Sequence, residues 1–177
     1  MKNILFAASL ATVILFCACS SDKSPAIEYK MYGVSFTCPA DWKVTDSTDY
    51  GDMQLIFVEK EGFSASGLLT ISIGNVADVE PEDLNDIMQE SLQEQEVFHK
   101  LVFSETSAGN YAGQDGLFYS YTTQVLGIPH EGRVYIFVVG EKVIAINEQE
   151  SVDDKKKNAP GFESIRSSFC VDTCSRM

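Results

Sequence analysis

Alternation of apolar and polar residues predicts short β-strands along most of the chain. Within residues 67–74, apolar side chains occupy every second position and Thr70 and Ser72 lie between them, which is the period of a strand with one face on a core. Residues 133–139 are apolar on both faces, so this strand should be covered on both sides. Further strands are predicted at residues 31–38, 43–48, 53–59, 100–105, 117–125 and 142–147.

The period changes near residue 80, where apolar residues begin to recur at helical spacing. This pattern predicts one long amphipathic helix over residues 81–98, and Pro81 suits its first turn. A short final helix is predicted over residues 162–169. Acidic side chains line the outer face of the long helix, which indicates a solvated face or, alternatively, an acidic docking stripe; they are Asp83, Asp86, Glu90 and Glu94.

Gly, Pro and Asn residues predict the turns between these elements. A strand covered on both sides favours a sheet with helices on both faces. The predicted class is therefore α+β, with a single domain over residues 28–170 and a tail at 171–177. The turns are expected at residues 39–41, 108–110, 113–116, 127–132 and 140–141.

Residues 1–18 have the layout of a secretory signal peptide. Lys2 precedes an apolar run at residues 4–16, which is shorter than the ~20 residues needed to span a bilayer. Residues 15–19, Leu-Phe-Cys-Ala-Cys, resemble the lipobox of bacterial lipoproteins, and this resemblance implies acylation of Cys19, with palmitate among its acyl chains. Cys17 is disfavoured because Phe16 is larger than the small residue that the family's peptidase accepts. The alternative is a plain secreted protein cleaved near Ala18.

Residues 19–27 form a short polar tether. An extended chain from Cys19 to Ala26 spans at most ~29 Å, so the domain should stay near the membrane. In lipoproteins of Gram-negative bacteria, Asp directly after the acylated Cys often signals retention in the inner membrane. This position is Ser20, which favours the outer membrane and leaves the leaflet open.

The chain carries a net charge of −13, with 26 acidic and 13 basic residues. Nucleic acid binding requires clustered Lys and Arg, and the one basic run is Lys155-Lys156-Lys157. We therefore expect no nucleic acid partner.

Three ordered segments resemble the PsbP-like and Mog-like α/β/α sandwich domains, including the DcrB type. They are Gly33-Val34-Ser35-Phe36 with Pro39-x-x-Trp42, then residues 112–116 (Ala-Gly-Gln-Asp-Gly), and finally Phe162-x-x-Ile165-x-x-Ser168-Phe169. The resemblance implies a central antiparallel sheet between helices. Its members bind partners without a shared catalytic activity, so it implies a fold and not a specific function.

Three cysteines remain in a mature chain acylated at Cys19. Cys170 and Cys174 are close in sequence and the envelope is oxidising, so a Cys170–Cys174 disulfide is favoured, which leaves Cys38 unpaired. Two thiolates without neighbouring His fall short of a zinc site.

The remaining chemistry-bearing residues form no recognisable catalytic motif. His99 is expected at the end of the long helix and His130 in a turn, both on the surface. Ser64 lacks the second Gly of a nucleophile elbow. Trp42 could line a ligand groove with nearby aromatic residues, although core packing explains it more simply. We expect no catalytic residue, cofactor or metal.

Together these patterns favour a non-catalytic envelope lipoprotein that binds a protein partner or supports an envelope complex. One alternative is a small-molecule or lipid carrier with a cavity between sheet and helix. Another is an enzyme with a dispersed site, which would show a deep polar cleft with carboxylates of perturbed pKa.

Overall fold

A computed structural model describes residues 25–62, 65–78 and 80–172. A short 3-10 turn, Val152–Asp154, precedes the second helix. The helices are α1, Pro81–Gln93, and α2, Lys155–Ser168. The strands are β1 Ile27–Met31, β2 Val34–Cys38, β3 Trp42–Asp49, β4 Met53–Lys60, β5 Leu68–Asn75, β6 Phe98–Phe103, β7 Ser107–Tyr111, β8 Gln114–Val125, β9 Ile128–Val139, β10 Lys142–Ser151 and β11 Cys170–Val171.

Two antiparallel sheets are present among these residues. The larger has eight strands in the order β3-β4-β5-β10-β9-β8-β6, with β7 also paired to β8. The smaller sheet has the order β1-β2-β11, so β11, the last strand of the described chain, pairs with β2 near its beginning. The α+β class and the antiparallel central sheet are thus confirmed.

Alternate residues of β10 belong to two separate hydrophobic clusters. Ile144 and Ile146 pack in a cluster that includes Phe162 of α2, whereas Val143 and Ala145 pack in one that includes Leu84 of α1. Successive side chains of a strand point to opposite faces, so the two clusters lie on the two sides of β10.

The sheet has two ends, which we name by exposed turn residues. One end holds Trp42 at the start of β3, Lys60 at the end of β4 and Ser151 at the end of β10. The Lys60 amide donates to the carbonyl oxygen of Gly67, just before β5, and the β8–β9 turn at Leu126 lies at the same end. This is the Leu126 end. The opposite end holds Tyr50 together with residues 74–75 and 139–142, and we call it the Tyr50 end.

Two predicted β segments have different boundaries in the structure. Residues 31–38 were expected to form one strand, but Tyr32 and Gly33 take positive φ values of 50° and 73° and turn the chain into a β1–β2 hairpin. The expected turn at residues 108–110 is strand β7, which pairs with β8 through residues 107–111. Gly109 fits in this strand because Phe118 packs against its backbone, leaving no room for a Cβ atom.

The helices also differ in length from the predictions. The long helix ends at Gln93 rather than residue 98, because Phe98 pairs with Val125 and begins β6. The final helix begins at Lys155 rather than at residue 162, since Asn158 is buried on the same helical face as Phe162 and Ile165. Pro160 therefore lies inside α2.

Candidate functional site

Several residues singled out in the sequence lie outside the described part of the chain. These are Cys17, Cys19, Cys174 and Ser64. Acylation of Cys19 and the Cys170–Cys174 disulfide therefore stay predictions. Cys38 and Cys170 are free among the described residues, with Cys38 buried and Cys170 exposed. Burial, followed by the charges of Asp41 and Glu61, raises the pKa of the Cys38 thiol to about 11.

Both histidines lie on strands rather than where the sequence placed them. His99 is exposed on β6, beyond the end of α1, and His130 lies in β9 with its Nδ1 3.0 Å from the carbonyl oxygen of Ile128. Trp42 is buried and meets Phe162 edge-on, with ring centroids 4.9 Å apart. Core packing, rather than a ligand groove, accounts for this tryptophan.

The outer acids of α1 are exposed and belong to none of the ion pairs found among the described residues. Asp83, Asp86, Glu90 and Glu94 all face solvent. This arrangement corresponds to a solvated helix face.

A cluster of four charged residues lies between β9, β10 and α2, and we call it the Arg–Glu cluster. It consists of Glu148, Glu150, Arg133 and Arg166. Arg166 Nη2 donates to both carboxylate oxygens of Glu148, at 2.9 and 2.8 Å, and Arg133 Nε lies 3.3 Å from Glu148 Oε2. Arg133 Nη2 also donates to Glu150 Oε1 at 3.1 Å.

Aromatic rings enclose this cluster. The Arg166 guanidinium lies 5.2 Å from the ring centroids of both Tyr111 and Tyr135, and the Arg133 guanidinium lies 5.7 Å from that of Phe162. Glu148 and Glu150 are each only 1% exposed. A cation on a ring face gains from the ring quadrupole, so the rings help to retain both arginines beside the buried carboxylates.

Burial alters the titration of groups in and around the cluster. The pKa of Glu150 is raised, first by desolvation, while the neighbouring Asn158 side chain and the charge of Arg133 oppose the shift. Desolvation is also the main cause that raises the pKa of Tyr111, with Glu148 adding to it. One oxygen of Glu150, Oε2, and the Tyr111 hydroxyl have no hydrogen-bond partner within the described chain.

A second polar network adjoins the cluster at the Leu126 end. Ser66 Oγ lies 3.0 Å from both Ser151 Oγ and Asp154 Oδ2, and it accepts a bond from the Ser151 amide at 3.1 Å. On the other side of β10, the Tyr121 hydroxyl lies 3.2 Å from Asn147 Oδ1 and 3.0 Å from Gln149 Oε1. These bonds connect residues 147–151, the polar half of β10, to neighbouring side chains on both faces of the strand.

The Arg–Glu cluster was not predicted from the sequence. The predicted strand ended at residue 147, because the apolar alternation stops there, whereas β10 continues through Glu148 and Glu150 to Ser151. The two-residue period of a strand could have indicated this burial, since residues 148 and 150 lie on the same strand face as Ile144 and Ile146.

Exposed apolar side chains concentrate at the Leu126 end. Leu126 is 84% exposed at the β8–β9 turn, and a recess of about 270 Å³ lies beside it, lined by residues that include Lys100, His130 and Val152. Four other exposed apolar residues belong to the same end; they are Ile27, Val97, Ile128 and Val152.

A second recess, also of about 270 Å³, lies at the Tyr50 end. Polar and charged residues contribute much of its lining, among them Asp52, Asp78 and Glu141. Both recesses are at the ends of the sheet, and neither corresponds to the cavity between sheet and helix that a carrier was expected to have.

Across residues 25–62, 65–78 and 80–172, no three His, Cys, Asp or Glu side chains come close enough together to hold a metal ion. No helix within the same ranges is long and apolar enough to cross a membrane.

No protein-family profile matches the sequence, and no curated protein matches it significantly. Solved structures do resemble the fold. Cyanobacterial PsbP (CyanoP) from Synechocystis sp. PCC 6803 aligns with 88% of this chain and 96% of its own, at a TM-score of 0.56 and 17% identity.

A protein of Bacteroides thetaiotaomicron VPI-5482 aligns with 84% of this chain at a TM-score of 0.50 and 15% identity. Only 48% of that protein is covered, so this chain spans about half its length. The Ran-binding protein Mog1p of Saccharomyces cerevisiae aligns with 82% of this chain and 95% of its own, at a TM-score of 0.48 and 11% identity. The alignment with CyanoP shows that the described chain has a PsbP-like fold.

Proposed function

We propose that this chain is a lipid-anchored accessory protein of the bacterial envelope, held at the outer membrane through Cys19, whose domain binds a protein partner and catalyses no reaction. The lipobox resemblance supports the attachment. The PsbP-like resemblance, whose members bind partners, supports the accessory role.

The Arg–Glu cluster is the observation that carries the non-catalytic part of this proposal. A general acid or base must come within hydrogen-bonding distance of a substrate proton. Glu148 and Glu150 are almost fully buried, and the guanidinium groups of Arg133 and Arg166 occupy both oxygens of Glu148 and one oxygen of Glu150. The cluster therefore suits a scaffold that joins α2 to the sheet.

Strand β6 offers a surface where a protein partner could bind. It is the last strand in the sheet order, so its outer backbone groups can form main-chain hydrogen bonds to an added strand. Val102 on this strand is largely exposed, whereas the opposite edge strand β3 exposes polar residues such as Ser47. The β6 edge is the more apolar of the two.

Photo-crosslinking in living cells tests partner binding. A photoreactive residue at Val102 of the full chain should yield discrete light-dependent adducts. The same residue at Ser47, exposed on the other edge strand, is the matched control. Adducts of equal pattern and yield at both positions, or none at Val102, would count against a partner at β6.

Substitution of the cysteines tests the attachment separately. Cys19→Ala should release the protein from the membrane fraction, because acylation requires that thiol. Cys17→Ala is the matched control and should leave the protein in the membrane. Membrane retention of the Cys19→Ala variant would refute the lipid anchor.

A further inference from the structure

The exposed apolar side chains at the Leu126 end come from distant parts of the sequence. Val97 lies opposite Leu126, because Phe98 pairs with Val125. Val152 directly follows Ser151, which pairs with His130. The strand register thus gathers these residues at one end of the sheet.

The beginning of the described chain lies at this same end. Ile27 pairs with Cys38, and a turn of three residues connects Cys38 to Trp42, one of the residues that define the Leu126 end. Ile27 is itself half exposed. The chain enters the domain at this end, and an extended segment from Cys19 to Ala26 reaches at most ~29 Å, so a lipid on Cys19 can lie beside this end.

The backbone conformation of the β8–β9 turn is one that Leu rarely adopts, yet Leu126 occupies it. Leu126 and Gly127 both have positive φ, at 51° and 83°, as in a type I′ hairpin turn. Asn, Asp or Gly is favoured at the first of these positions, and a Leu is strained there. A large apolar side chain is therefore held in solvent at a position where a small polar residue would be more stable.

The segment around this tip is also uncharged. Residues 116–130 contain no Asp, Glu, Lys or Arg, in a chain with 26 acidic residues. Lys100 and Lys156 lie at the same end, are exposed, and take part in none of the ion pairs found within the described chain. Apolar side chains can insert into a membrane at the boundary between the lipid headgroups and the acyl chains. Lys side chains are attracted to anionic lipid headgroups.

We infer that the Leu126 end of the domain rests on the phospholipid surface to which Cys19 attaches the chain. The lipid anchor of the proposed function is the basis of this inference. The contact would fix the orientation of the domain, with the Tyr50 end pointing away from the membrane.

The test uses the lipidated full-length chain, reconstituted into vesicles of phosphatidylethanolamine and phosphatidylglycerol. Cys170 and Cys174 are replaced by Ser, Cys38 is kept because its buried thiol is not accessible to the label, and one Cys introduced at Leu126 or Tyr50 carries an environment-sensitive fluorophore. Both positions are strongly exposed, at 84% and 69%, and lie at opposite ends, so Tyr50→Cys is the matched control. Ile128→Cys provides a second position if the turn does not tolerate the first label.

The label at the Leu126 end should emit at shorter wavelength in vesicles and be quenched several-fold more by lipids with nitroxide-labelled chains than the label at Tyr50. Equal, solvent-like emission and quenching at both ends, in protein that floats with the vesicles, would overturn the inference and leave the anchor intact. Protein that does not float with the vesicles would overturn both the anchor and the inference.

Discussion

Arg166 of helix α2 and Glu148 of β10 form a buried ion pair between the helix and the central sheet. A single guanidinium nitrogen, Nη2, donates to both carboxylate oxygens at 2.9 and 2.8 Å, and the Glu148 side chain has no exposed surface. This ion pair gives the first prediction.

Replacing Arg166 with Ala should destabilise the fold by about 3 kcal/mol, because it leaves Glu148 buried with only Arg133 beside it. Lys156→Ala, at an exposed position of the same helix, is the control and should change stability by less than about 0.5 kcal/mol. Urea unfolding provides the measurement. An Arg166→Ala variant as stable as the control would show that the pair does not hold α2 in place.

Glu150 makes stability depend on pH. Burial raises its pKa in the folded state, so the folded protein binds the proton more tightly than the unfolded chain, and stability falls as pH rises from the unfolded value of 4.5 through the folded pKa. Glu150→Gln removes this contribution. The free energy of unfolding of the variant, relative to that of the natural chain, should therefore be larger at pH 7 than at pH 4, so the variant gains relative stability as pH rises.

This difference is read from urea unfolding at the two pH values. The control is Glu163→Gln, an exposed position of α2. A Glu150→Gln variant whose relative stability is the same at both pH values would contradict the raised pKa.

Replacing Gly161 with Ala tests whether helix propensity or packing has the larger effect on stability at this position. In an exposed helix, Gly→Ala stabilises by roughly 0.5–1 kcal/mol. Here a Cβ atom at position 161 would overlap the buried ring of Trp42, so Gly161→Ala should destabilise instead, by about 2–3 kcal/mol. Thermal unfolding compared with Ser167→Ala, exposed on the same helix, checks the sign. A gain in stability would mean that Trp42 can move aside.

Leu126→Asn should stabilise the β8–β9 turn by up to about 1 kcal/mol, because Asn tolerates positive φ better than Leu. Gly127→Ala, next to it at φ 83°, should have the opposite effect, about 1 kcal/mol of destabilisation. Chemical unfolding measures both. If the Asn variant is less stable than the natural chain, the side chain of Leu126 contributes to stability despite its exposure.

The thiols should differ sharply in reactivity. Cys38 is buried with a pKa of about 11, so it should resist a maleimide in the folded protein and react only after unfolding. A Cys170–Cys174 disulfide would make both of those thiols reactive only after reduction. Mass spectrometry after alkylation, with and without reductant, measures each thiol. Alkylation of Cys170 without reductant would contradict the predicted disulfide. The Cys170→Ser variant identifies which part of the alkylation signal comes from Cys170.

Much of the fold could be predicted because it depends on local period and turn chemistry. The alternation in residues 67–74 corresponds to β5, and the expected turns at residues 39–41 and 140–141 are present. Boundaries were less predictable where tertiary pairing decides them. Phe98 continues the apolar stripe of α1 in sequence, yet it ends up in β6, because its pairing with Val125 extends the sheet.

The sequence by itself determined the strand and helix class of most segments, the acidity of the chain and the lipobox resemblance at Cys19, since each is a property of neighbouring residues. Only the tertiary structure decided that Glu148 and Glu150 are buried. A buried carboxylate is costly unless a cation or hydrogen-bond donors offset its desolvation, and here the cations are Arg133 from another strand and Arg166 from a helix. The gathering of Ile27, Leu126 and Val152 at one end likewise depends on strand register, which no local pattern contains.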